Sequence, residues 1–131
     1  SVGGSHGQGD ILHPSVALSE GFGTALAAMI LDNSVCIDTF GLGQNIGDVT
    51  NVEQYNNTDS ATSNDGVNPF FNGYYSETSV MELLYDLFDG GLSDDDSVAL
   101  GFGPLYKVLT DELRTTMSLI SLFPFLHYIK L

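Results

Sequence analysis

Within HPSVALSEGFGTALAAMI, residues 13–30, a single carboxylate, Glu20, stands among small and apolar side chains. A charged carboxylate buried on such a segment is strongly disfavoured unless it is paired or bound to a cation. Basic partners are scarce, because Lys107, Arg114 and Lys130 are the only lysines and arginines. Two roles suit Glu20: a metal ligand projecting from a helix, or a structural residue near a helix start, favoured by the macrodipole and partly solvated. The three histidines, His6, His13 and His127, do not form a ligand set by spacing. His6 is the least remote from such a role, in a glycine-rich approach from which it could face a site or close a turn. Tyr75, beside Tyr74, suits an aromatic core position. Asp86, Asp89, Asp94, Asp95 and Asp96 surround DGGLSDDDS and offer oxygen ligands for Ca²⁺. Their spacing matches no EF-hand loop, and a solvated loop is the plainer reading.

The elements that must position these groups can be read from punctuation and periodicity. SVGGSHGQGDIL (1–12) is an irregular, glycine-rich approach. Pro14 suits a first helical turn, and the helix should run from about Ser15 to Leu31, apolar nearly all round and therefore buried. VCIDTFG (35–41) suits a short strand or a helical turn. Residues 41–73 turn polar and read as a long loop, of a length usually functional or mobile. In SETSVMELLYDLFDGG, Val80, Leu83, Leu84 and Leu87 recur at i, i+3, i+4 and i+7, with Ser76 as N-cap and Gly90 as stop. GPLYKVLTDEL predicts a third helix with Leu105, Val108 and Leu109 on one face. A last helix should begin near Leu122, with Ser121 as N-cap and Pro124 at its third position, where no helical N–H bond is lost. The fold class expected is mostly α, with long loops, in a single domain over 1–131.

Composition narrows the partners. Three basic against 17 acidic residues give a net charge of −14, which repels phosphate backbones and anionic membrane surfaces; nucleic acid is not an expected partner. No uninterrupted apolar run reaches the ~18 residues of a membrane span, so a soluble folded chain with no transmembrane segment is expected. Cys36, the only cysteine, cannot close an internal disulfide and reads as a buried thiol. An acidic, lysine-poor composition is common in exported bacterial proteins.

The residues around Glu20 also carry a family resemblance. Ser19-Glu20-Gly21-Phe22-Gly23 resembles the N-E-G-F-A segment of aminopeptidase-N-type zinc peptidases, and the helix resembles the thermolysin-type N-E-A-x-S-D segment. Gly73-Tyr74-Tyr75-Ser76-Glu77-Thr78-Ser79-Val80 is similar to the thermolysin-type G-V-H-x-N-S-G-I, and Val108-Leu109-Thr110-Asp111-Glu112-Leu113 to its A-L-T-x-x-L. The run from Gly3 through Pro104 resembles a group of bacterial envelope proteins that carry H-E-x-x-H upstream. This gluzincin-like resemblance implies a zinc metallopeptidase acting on peptide or protein substrates, with Glu20 as third ligand of Zn²⁺ and Tyr75 at the place of the oxyanion-stabilising histidine. It implies an exported or cell-envelope protein. The departures are plain: residues 1–131 contain no H-E-x-x-H, so two ligands and the general base must come from an upstream segment, and Thr24 stands where the thermolysin type has a carboxylate that orients a ligand. The alternatives are a non-catalytic acidic exported domain that binds Ca²⁺ or a protein partner, and a degenerate peptidase scaffold.

Overall fold

Helix α1 (Pro14–Leu31) has Pro14 at its start and His13 as N-cap, whose imidazole Nδ1 accepts from the Ser15 N–H at 3.4 Å. It stops at Asp32, in the left-handed conformation at φ 50°, which aspartate tolerates better than most residues. The computed structural model describes residues 6, 10–53, 73–90 and 98–130. Within them follow β1 (Val35–Phe40), β2 (Ile46–Asn51), α2 (Glu77–Asp86), α3 (Phe102–Lys107), a π-helical turn (Val108–Glu112), α4 (Leu113–Thr115) and α5 (Leu122–Tyr128). About half of the described residues are helical, and the described strands form one two-stranded antiparallel sheet.

The core forms where α1 meets α2. The buried face of α1 is Ala17, Leu18, Gly21, Ala25, Ala28 and Met29, and the facing side of α2 supplies Val80, Met81, Leu84 and Tyr85. The alanines and glycine make α1 thin on this side, so the two backbones come close. A Cβ added at Gly21 would stand 2.6 Å from the Glu77 carbonyl oxygen and 2.8 Å from Val80 Cβ, an approach that only glycine permits. Phe125 of α5 and Leu105 of α3, both fully buried, close the core.

The opposite side of α1 is open. Glu20, Gly23, Ala27, Ile30 and Leu31 are exposed there, with Ile30 at 71% and Leu31 at 68%. The buried helix expected from composition is thus buried on one side only. At 18 residues and mean hydropathy 1.3, α1 is also long and apolar enough to cross a membrane, although the sequence shows no uninterrupted run of that length; here 39% of it is buried within the fold.

Of the two forms expected for VCIDTFG, a short strand or a helical turn, it takes the strand. Two elements differ from the sequence reading. The polar stretch expected as loop opens with the partner strand: β1 and β2 pair from Val35↔Asn51 to Phe40↔Ile46. Gly41, Gly43 and Gln44 turn the chain at positive φ, and the Gln44 N–H closes on the Gly41 carbonyl at 3.1 Å. The strand signal was faint because the hairpin buries little: Ile37 is 67% and Val49 58% exposed, while Thr50 and Val52 are buried. The remainder of the expected loop, 54–72, lies outside the described residues. The third helix is present but passes through the π-helical turn, whose extra residue puts Leu105, Val108 and Leu113 in the core and leaves Leu109 half-buried. The last helix is as expected, with Ser121 at its cap, although that hydroxyl donates to the Leu119 carbonyl at 3.3 Å instead of capping.

Gly21 and Gly23 therefore lie on opposite sides of α1, and they separate in mutagenesis. Gly21→Ala must push the Glu77 backbone away and is expected to destabilise by ~1–3 kcal/mol. Gly23→Ala, whose Cβ meets nothing within 4 Å, should stabilise by up to ~1 kcal/mol through helix propensity. Urea unfolding of the two variants measures the difference.

Candidate functional site

The close approach at Gly21 brings two carboxylates from different helices into one neighbourhood. Glu20 precedes Gly21 on the open side of α1, and Glu77 opens α2 directly across the contact. His6, from the glycine-rich approach, meets Glu77 with Nε2 to Oε2 at 3.2 Å, the two side chains retaining only 16% and 15% exposure. Burial pushes the Glu77 carboxyl above the usual carboxylate range; the hydrogen bond and charge of His6 pull it back, and the charges of Glu20 and Asp10 push it up further. The neighbourhood thus joins three carboxylates and one imidazole, with Glu20 at its solvent edge.

This differs from the sequence expectation for Glu20. A setting among small apolar residues predicted a desolvated carboxylate, whereas the side chain is exposed because no described element covers the outer face of α1. The desolvated carboxylate is Glu77, which the sequence reading did not single out. Its signal was present in the S-E start of α2 and in Gly21, which demands a close neighbour without saying which.

Tyr75 lies elsewhere. Its carbonyl accepts from the Leu12 N–H at 2.8 Å, and its ring, 41% exposed, is no core residue. It meets the Tyr74 ring at 4.2 Å in a tilted pair, and Tyr74 meets Phe123 at 4.1 Å, also tilted. These rings, with Pro14, His127 and Tyr128, line a groove of 590 Å³. The hydrogen bond to Tyr75, then burial, pushes the Tyr74 phenol above its usual value. No hydrogen bond or ring contact joins Tyr75 to Glu20 among the described residues. Tyr75 shares its groove with Pro14, and from Pro14 to Glu20 is six residues of helix, about 9 Å.

The other candidates separate as well. His13 caps α1, and His127 is exposed, edge-on to Tyr128 at 5.1 Å. Cys36 is half-buried, not buried, with its thiol pushed up by burial and donating to the Thr24 carbonyl at 3.5 Å. Of the acidic cluster behind the Ca²⁺ reading, Asp86 ends α2 and Asp89 follows it, both half-buried, while Asp94, Asp95 and Asp96 lie outside the described residues. Among the described residues no group of three or more His, Cys, Asp or Glu side chains is arranged to hold a metal ion.

The raised Glu77 carboxyl has a signed consequence for stability. The folded chain holds this proton more tightly than the unfolded chain, so stability falls as pH rises from the ordinary value of 4.5 through the raised one. Glu77→Gln should flatten that fall. Urea midpoints between pH 4 and 7.5, taken in a His6→Asn background to cancel the imidazole's titration, should show a shallower slope for the glutamine variant; equal slopes would contradict the assignment.

Comparison with protein-family models, with curated proteins and with solved structures finds no match for this chain.

Proposed function

We propose that this chain is the C-terminal, helical part of a gluzincin-like zinc metallopeptidase of the bacterial envelope or exterior, completed by an upstream segment carrying H-E-x-x-H. The observation that supports it is the outer face of α1. A solvent-facing helix side is ordinarily polar, yet here Gly23, Ala27, Ile30 and Leu31 are exposed with Glu20 as the only charge among them. Small residues at this spacing let a second helix approach closely, and a carboxylate at the head of that contact would meet whatever the second helix presents. The donor suits a partial site: Glu20 is an accessible oxygen ligand, and on this reading the two histidines come from the upstream segment.

Zn²⁺ held by Glu20 and two such histidines would lower the pKa of its bound water and polarise a peptide carbonyl. The chain's own part is positional. Gly21 fixes α1 against α2, so Glu20 projects from a rigid pair of helices. Glu77, behind it, adds negative charge to a cation site, and its own ionisation is steadied by His6. Tyr75 stands beside an aromatic groove able to seat an apolar side chain of a peptide, and its proposed role is to turn its hydroxyl from Tyr74 to the developing oxyanion.

On this reading the present chain alone binds Zn²⁺ only weakly, and Glu20→Gln leaves its melting unchanged within ~0.5 kcal/mol, as for other exposed substitutions. In the protein that includes the H-E-x-x-H segment, the same change should remove most of the zinc retained after dialysis and abolish peptide hydrolysis. A stoichiometric submicromolar zinc site in the present chain, or full zinc content in the longer Glu20→Gln protein, would overturn it.

A further inference from the structure

A second groove lies on a third side of α1, between its core face and its outer face. It has a volume of 580 Å³ and an apolar lining of Leu18 and Phe22 from α1 with Leu109, Leu113 and Ile120 from the C-terminal part, and Arg114 borders it. We propose that this groove binds an amphiphilic monocarboxylate of fatty-acid type, its alkyl chain along the apolar lining and its carboxylate on the Arg114 guanidinium. The inference goes beyond the peptidase reading and does not depend on it.

Charge is the first support. Arg114 is one of three basic residues beside 17 acidic ones, yet it makes no ion pair or hydrogen bond among the described residues. Its planar fork matches a carboxylate in two parallel hydrogen bonds. The net charge of −14 opposes an anion at long range, but in ~0.15 M salt that field is screened beyond ~8 Å, and the nearby guanidinium decides. Size is the second, since the groove falls within the ~300–1,000 Å³ usual for small-molecule sites.

The remaining polar groups favour an alkyl chain over a peptide. The Ser15 hydroxyl donates to the Ile120 carbonyl at 2.6 Å, and Thr110 donates to the Tyr106 carbonyl at 2.8 Å. That leaves Ser19 as the lining hydroxyl with no hydrogen bond among the described residues. A peptide laid here would lose hydration at its amides and recover little in return; an alkyl chain has no such groups. Arg114 in the last helical turn also suits the helix dipole, a role that needs no ligand and is insensitive to what occupies the groove.

Calorimetric titration of this chain at pH 7.5 in 0.15 M NaCl tests the proposal, with sodium decanoate below its micelle concentration, decan-1-ol, and N-acetyl-Leu-Leu with a free carboxylate. Decanoate should bind with one-to-one stoichiometry. Arg114→Gln should weaken it about tenfold, the loss expected for a charge-assisted pair, while Arg114→Lys keeps part of the affinity. Decan-1-ol should bind more weakly and be indifferent to Arg114→Gln. Equal affinities for acid and alcohol, an unchanged decanoate affinity in Arg114→Gln, tighter binding of the dipeptide than of decanoate, or no decanoate binding at millimolar concentration would each overturn it. Arg114 is exposed, so the variants should fold, and matching thermal melts verify that.

Discussion

The contact of α1 with α2 at Gly21 is the constraint on which the rest of the structure depends. With its missing Cβ, the Glu77 carbonyl and Val80 occupy the space a side chain would fill, and the alanine-rich face of α1 seats the larger residues of α2. The same approach sets Glu77 beside Glu20 and draws His6 onto Glu77. Packing and electrostatics are therefore one decision. A chain that brings its helices this close also crowds its carboxylates, and it answers by desolvating one, pairing it with an imidazole, and leaving the other in solvent.

That division gives α1 three sides with different tasks. The core side is small and dry. The groove side carries apolar residues opposite Arg114. The outer side is apolar without being covered, and Glu20 interrupts it. With few polar residues on any side, α1 satisfies the arithmetic of a membrane span, while in this fold its core side packs on α2.

Much of the scaffold was legible because it rests on local chemistry. Pro14 and Asp32 bound α1, the i, i+3, i+4, i+7 spacing of Val80, Leu83, Leu84 and Leu87 marks α2, and Ser121 with Pro124 marks α5. What was not legible depends on tertiary context. The β1–β2 hairpin has short strands with exposed Ile37 and Val49, so it lacks the alternation by which strands are recognised. The π-helical turn moves Leu113 into the core in a way that 3.6-residue periodicity does not foresee. At the site, Glu20 drew attention through its apolar neighbours in sequence, but those neighbours lie around the helix, and its own side faces out. Glu77 was hidden because its environment is made by Gly21 and His6, 56 and 71 residues away.

The central claim is that the outer side of α1 is an interface whose partner brings the remaining metal ligands. Its most direct test places a reactive thiol there: Ala27→Cys in a Cys36→Ser background, with the rate of maleimide labelling compared between this chain alone and the protein that also carries the H-E-x-x-H segment. The account expects rapid labelling of the chain alone and at least about tenfold slower labelling in the longer protein, as burial at an interface restricts access. Equal rates in both would contradict it, since Glu20 would then stand on a face that nothing in the intact protein covers.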